Sequence, residues 1–316
     1  MTALPAVWAP EYEVDIGPHV FPTSKYRLVR ERLLAEGTLG DSQLRRPSEA
    51  TREALLRVHE SGYLDRVLEG RLTGREERLL ELPFSSALRT ASLLCCGGTL
   101  LAGRLALDHG AAVHLGGGFH HAFSDHGEGF CLLNDVAVAA AGLRAEGRTR
   151  RIAVVDLDVH HGNGTAAIFH DEPAVYTFSM HQERNYPFPK PASDLDVGLE
   201  DGVDDQRYLE ILARSLDQVL EEGRPEVVLY LAGADPYRED QLGGLALSLE
   251  GLAARDRRVL ERFGAAGVPV AVVLAGGYAR HLSDTVEIHC NTVREAARFV
   301  DDPPSNGGAA TCASTT

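Results

Sequence analysis

The 316-residue chain predicts an α/β protein: one three-layer α/β/α domain on a central, mainly parallel sheet. Three observations carry that expectation. Short apolar runs of strand character end, one after another, in Gly, Asp, His or Tyr. Those runs alternate with helical patterns, as in a parallel sheet covered on both faces. Residues 15–300 also contain no Pro/Ser-rich linker, composition break or internal repeat. One domain over 1–300 is therefore expected, although length alone would suggest about two.

In chain order, helical patterns fall at Ser24–Glu36, Ser48–His59 and Ser86–Leu107. The run Ala111-Ala112-Val113-His114-Leu115 then reads as a buried strand, and Asp135–Glu146 as a helix. A further strand leads into Val155–Gly164. Helix Gln206–Glu222 precedes the strand pattern Glu226–Gly233, and helix Ser248–Phe263 precedes Pro269–Ala275. A helix over His281–Phe299 closes the domain. From Asp301 the chain is rich in Gly, Ala, Ser, Thr and Pro, so a disordered tail over 301–316 is expected.

The chemistry gathers at strand ends. If the chain is extended from Val155, side chains alternate faces, and Asp156, Asp158 and His160 share one of them. Burying ionised carboxylates costs several kcal/mol each unless a cation or a hydrogen-bond network compensates. A divalent metal is the simplest explanation; a metal-free Asp–His network is the bland one. Upstream, Gly116-Gly117-Gly118-Phe119-His120-His121 follows another strand. Adjacent loop histidines are ordinarily surface residues. Beside an Asp-x-Asp-x-His run they suit hydrolysis, which needs a base near metal-bound water. Asp235-Pro236-Tyr237-Arg238-Glu239-Asp240 and Gly276-Gly277-Tyr278 follow the last two strands. Open parallel sheets build their sites at such carboxyl ends.

Taken in order, Gly116–Ala122, Gly129-Phe130-Cys131-Leu132-Leu133-Asn134-Asp135, the Asp156–Gly164 run, Ala234-Asp235-Pro236 to Asp240 and Gly276-Gly277-Tyr278 resemble the zinc-dependent histone deacetylase family. The resemblance covers roughly residues 15–300 and implies an arginase/deacetylase-like fold. Ser193-Asp194-Leu195-Asp196-Val197-Gly198 and the short length look most like the class IV branch and its bacterial relatives.

That resemblance implies Asp158, His160 and Asp240 as metal ligands, with Asp235 competing for the third place. Three protein ligands leave positions open for chemistry. Their O,N,O set suits Zn²⁺, and Fe²⁺ or Co²⁺ also fit. It further implies that Asp156 orients His120 and that Asn163, where many relatives carry Asp, orients His121. A carboxylate partner favours the imidazolium and an amide does not, so His121 is the expected base. His120 is the expected charged stabiliser of the transition state. Tyr278 is expected to donate to the substrate carbonyl. Gly129, Phe130, Phe188 and Gly277 are expected along the substrate channel, with Tyr186 the alternative to Phe188 and His19 at the rim. A structural K⁺ is expected on Asp156, Asp158, His160, Ser179 and Met180, and a second on carbonyls of Phe169, Glu172 and Val175.

The implied reaction is removal of acetyl or longer fatty acyl groups from lysine by metal-bound water. The first alternative substrate class is small acetylated amines such as acetylpolyamines. A catalytically silent metal-stabilised binding protein ranks lower. A two-manganese ureohydrolase ranks low too, since Asp235-Pro236-Tyr237 offers no Asp-x-Asp.

Bulk properties narrow the partners. A net charge of -15 disfavours direct nucleic-acid binding, which relies on clustered Lys and Arg. Five cysteines without Cys-x-x-Cys form no disulfide framework or cysteine zinc site. Cys95 and Cys96 read as packing thiols and Cys131 as an inert one beside the site. No secretory signal is recognised, and the uncharged stretch Thr90–Gly103 reads as too short to span a bilayer. A cytoplasmic location without membrane contact is expected.

Overall fold

A computed structural model describes residues 3–302, so the tail expected from Asp301 lies almost wholly outside the described residues. Eight strands form one sheet in which every pairing is parallel. They are β1 (Ala6–Val7), β2 (Leu44–Arg45), β3 (Ala111–His114), β4 (Ile152–Asp156), β5 (Val175–Gln182), β6 (Leu195–Leu199), β7 (Val227–Leu231) and β8 (Val270–Val273). Their spatial order is β2-β1-β3-β8-β7-β4-β5-β6.

The apolar runs are continuous because both faces of the sheet are covered. Ile152, Val154, Leu229, Leu231 and Val273 enter one core, while Ala153, Val155, Val228, Tyr230 and Val272 enter the other. On the first face pack α3 (Ser61–Glu69), α5 (Ser86–His109) and α6 (Asp135–Ala145). On the second pack α1 (Lys25–Ala35), α8 (Asp205–Gln218), α9 (Leu249–Ala265) and α10 (Leu282–Asp301). The three layers match the sequence expectation.

Several elements differ from it. The expected helix Ser48–His59 shrinks to α2 (Arg52–Leu55). Ala50 spends its N–H on Leu93 O of α5 (3.0 Å), and the Thr51 hydroxyl then caps the helix through Ala54 N. The expected helix Gln206–Glu222 is regular only to Gln218 and ends in a wider turn over Val219–Gly223. The short strands β1 and β2, the strands β5 and β6, and the helices α3, α4 (Gly74–Leu80) and α7 (Asn163–Phe169) were not anticipated. β5 mixes Thr, Ser, His and Gln among its apolar residues, which hides its strand pattern.

α5 corrects the reading of Thr90–Gly103. With 24 residues it is long and apolar enough to cross a membrane, but 67% of its apolar window is buried inside the protein. It is a core helix. Cys95, Cys96, Cys131 and Cys290 are free and buried.

Candidate active site

The four central strands of the sheet, β3, β8, β7 and β4, are neighbours in space though far apart in sequence. Their carboxyl ends lead into the four loops singled out above. His120 and His121 follow β3, Asp156 to Asn163 follow β4, Asp235 and Asp240 follow β7, and Tyr278 follows β8. All are buried except Tyr278, which is half-buried.

Carboxylates pin two of these loops. The Asp135 carboxylate, at the start of α6, accepts from Phe119 N (2.8 Å) and Gly118 N, fixing the approach to the histidine pair. Asp240 Oδ1 accepts from Leu242 N (2.8 Å) and Gly243 N (3.0 Å), and its Oδ2 accepts from Tyr278 N (2.7 Å). The β7 loop thereby positions the tyrosine of the β8 loop.

The two histidines have different partners. His120 Nδ1 lies 2.6 Å from Asp156 Oδ2, and His121 Nδ1 lies 2.7 Å from Asn163 Oδ1. Their Nε2 atoms face each other at 3.1 Å. Burial opposes charge on His120, but Asp156 and Asp158 outweigh it and lift the imidazole to about 9. Burial, then the neighbouring His120 and His160, push His121 well below the ordinary imidazole range. One ring is kept charged and the other neutral.

Donor atoms of Asp158, His160 and Asp235 lie within 4.8 Å of one another. Asp158 Oδ1 is 3.0 Å from His160 Nδ1, and Asp235 Oδ2 is 3.4 Å from it. Asp235 Oδ2 is buried with no hydrogen-bond partner. Burial and the adjacent Asp158 charge push the Asp235 carboxyl up to about 7. Converging buried carboxylates with an orphaned oxygen are a donor set that fits a divalent cation. Asp240 stands outside this tight group, with its oxygens engaged by backbone N–H donors.

A cavity of about 220 Å³ opens onto His121, His160 and Tyr278 between walls formed by Phe130 and Tyr186. Tyr186 stands edge-on to His121, with ring centroids 5.0 Å apart. Phe188, expected on this wall, is instead 72% exposed, with Lys190 over its ring. Tyr186 takes the wall because its hydroxyl has a half-buried acceptor, Glu128 Oε1, at 2.7 Å. His19, expected at the rim, packs edge-on against Phe130 with ring centroids 4.8 Å apart. A Cβ added at Gly129 would lie 2.9 Å from His121 Cδ2 and 3.0 Å from Tyr186 Cε1, at a backbone φ of +51°. Gly129→Ala is expected to raise KM and lower Tm, with an overpacking cost of about 1–3 kcal/mol, read by steady-state kinetics and thermal melting.

Burial pushes the Tyr278 hydroxyl well above its ordinary range, and the Asp158 and Asp235 charges add to this, so it remains a proton donor. Gly277 adopts a φ of +139°, which keeps the loop before Tyr278 tight. Asp156 and Ser179 are register partners on adjacent strands, and Met180 is buried next to them. Phe169, Glu172 and Val175 form the turn from α7 into β5, with Glu172 N on Phe169 O and Val175 N on Glu172 O.

Sequence reasoning missed Lys25. Its Nζ is fully buried and donates to Ala275 O (2.7 Å) under the Tyr278 loop. Burial lowers it to about 8 against the pull of Asp235, Asp158 and Asp240. A lone lysine at a helix start carries no signal of that role.

A parallel sheet covered on both faces, with charge-separated histidines, carboxylates and a tyrosine at its central strand ends, is the layout of a hydrolytic site on a three-layer α/β/α fold. A profile of the histone deacetylase domain matches residues 19–293. The chain is 45% identical over 297 residues to an uncharacterised protein of Picosynechococcus sp., covering 94% of this chain and 99% of that one. It is 31% identical over 282 residues to histone deacetylase 2 of Arabidopsis thaliana, covering 85% and 73%. The crystal structure of an HDAC homolog from Aquifex aeolicus matches with a TM-score of 0.81 at 27% identity, covering 94% of this chain and 84% of that one. The chain belongs to the histone deacetylase family and carries its deacetylase domain.

Proposed function

We propose that the protein is a metal-dependent lysine deacylase. The observation that carries this reading is the aromatic-walled cavity that ends on a neutral His121 and Tyr278, with a charged His120 3.1 Å from His121 and a carboxylate–histidine donor set beside them. Asp158 and His160 would hold a Zn²⁺ ion, with Asp240 as third ligand and Asp235 as the carboxylate beside them. The ion, when bound, supplies Lewis acidity to the water and to the amide carbonyl.

The chain's own groups do the rest. Phe130 and Tyr186 grip the aliphatic lysine stem and exclude water from it. Nε2 of His121 takes the proton from the attacking water and returns it to the leaving amine. Tyr278 donates its hydroxyl to the oxygen on which negative charge develops, and the His120 imidazolium stabilises that charge from the other side. A structural K⁺ at Asp156, Asp158, His160, Ser179 and Met180 would stiffen the β4–β5 end, with a second at the Phe169–Val175 turn. The partner is an acyl-lysine peptide.

The test is carboxylate release from lysine peptides carrying acetyl through myristoyl groups, comparing Zn²⁺-loaded protein with Asp158→Ala. Turnover abolished by the substitution supports the reading, and the chain-length optimum reports pocket depth. Turnover confined to acetylpolyamines transfers the assignment to small amines, and none on either class leaves a silent binder. Metal stoichiometry separates the carboxylates: Asp240→Asn is expected to lose the ion, and Asp235→Asn to retain it with weakened affinity. The reverse result makes Asp235 the ligand.

A further inference from the structure

Glu128 has no place in the chemistry described so far, yet it sits behind both the base and the channel wall. Its Oε1 accepts from Asn163 Nδ2 (2.7 Å) and from the Tyr186 hydroxyl (2.7 Å). Its Oε2 lies 3.5 Å from His126 Nε2. The backbone of Glu128 is pinned by reciprocal bonds with Cys131, Glu128 N to Cys131 O at 3.0 Å and Cys131 N to Glu128 O at 2.8 Å. The carboxylate is therefore presented from a rigid turn. Burial opposes its charge, but hydrogen bonds from His126, Tyr186 and Asn163 outweigh this and hold it ionised.

The consequence lies in the asymmetry of an amide. An aspartate at position 163 would offer His121 an acceptor whichever oxygen faced it. Asn163 offers an acceptor in one orientation and a donor in the flipped one. A carboxylate accepts only, so Glu128 demands the Nδ2 side of Asn163 and turns Oδ1 toward His121. His121 Nδ1 must then carry the hydrogen, leaving the lone pair on Nε2, the atom 3.1 Å from His120 Nε2. With the amide flipped, the lone pair sits on Nδ1 and Nε2 cannot act as a base.

We propose that Glu128 is a positioning residue that locks the Asn163 amide, and through it the His121 tautomer, while tying the same atom to the Tyr186 wall. This rests on the deacylase reading for its kinetic consequence but not for its tautomeric one. Glu128→Ala is expected to lower kcat on an acetyl-lysine peptide by about tenfold to a hundredfold, the scale of losing a hydrogen bond to a charged group. Asn163→Asp alone also loses activity, because it sets two carboxylates against each other. The double variant Glu128→Ala/Asn163→Asp recovers most of the wild-type kcat, since a symmetric acceptor needs no lock. A general structural role for Glu128 predicts additive losses instead.

The second readout needs no turnover: ¹⁵N spectra of histidine-labelled, Zn²⁺-loaded protein. His121 is expected to be protonated on Nδ1 in the wild type and the double variant, and mixed in Glu128→Ala. Additive kinetic losses, or an unchanged His121 tautomer in Glu128→Ala, overturn the proposal. If the wild type hydrolyses no acyl-lysine peptide, the functional reading fails and the tautomer measurement alone decides the role of Glu128.

Discussion

Tyr278→Phe is expected to lower kcat by about 10²–10³ with little change in KM. Phenylalanine keeps the ring packing against Phe130 and Phe21, at centroid distances of 6.0 and 6.3 Å, so the cavity keeps its shape. What disappears is the Tyr278 hydroxyl, which burial holds protonated. Its backbone N–H remains on Asp240, so the loop stays in place. The comparison is steady-state turnover of an acetyl-lysine peptide with metal content measured in parallel. A kcat close to wild type, at equal metal loading, removes Tyr278 from the chemistry.

His121→Ala is expected to cost about 10²–10⁴ in kcat, the range for a positioned acid–base group. The pH profile distinguishes it from its neighbour. His121 is held below the usual imidazole range, so it stays neutral through pH 7 and imposes no loss on the alkaline side. His120 is lifted to about 9, so its positive charge is present at neutrality and is lost as pH rises through that value. kcat/KM should therefore fall on an alkaline limb near pH 9. Asp156→Asn removes the partner that favours the charged form, and the limb should move to lower pH. A limb that does not move with Asp156→Asn assigns it to another group.

Much of the site was legible because the chemistry is written in short runs. Asp156 to Asn163 lies within one strand end, and His120 with His121 within one loop. Runs of buried strand residues located β3, β4, β7 and β8, whose ends carry every one of these groups. The strands without such a pattern were not legible. β5 is interrupted by Thr177, Ser179 and His181, and β1 and β2 have two residues each. The choice of channel wall is not legible in sequence for a related reason. Tyr186 and Phe188 are equivalent in a local pattern, and only the position of Glu128, 58 residues away, decides which ring turns inward.

Arg255 shows the same limit from beneath the site. In sequence it belongs to an ordinary charged helix. In the fold it is fully buried, its Nη1 donating to Gly233 O (2.6 Å) and Leu157 O (3.3 Å), while Nε pairs with Asp256 at 2.8 Å. It thus supports the backbone of the β4 and β7 loops together. By itself the sequence determined the α/β layering, the strand ends that bear the chemistry, and the histidines, aspartates and tyrosine placed on them. Periodicity and the cost of burying charge act over a few neighbouring residues, which a linear reading captures. The tertiary structure alone decided which carboxylate joins Asp158 beside His160, which aromatic walls the cavity, and that the buried Lys25 and Arg255 and the half-buried Glu128 hold the loops. Those choices depend on hydrogen bonds closed between distant segments, and no local pattern encodes them.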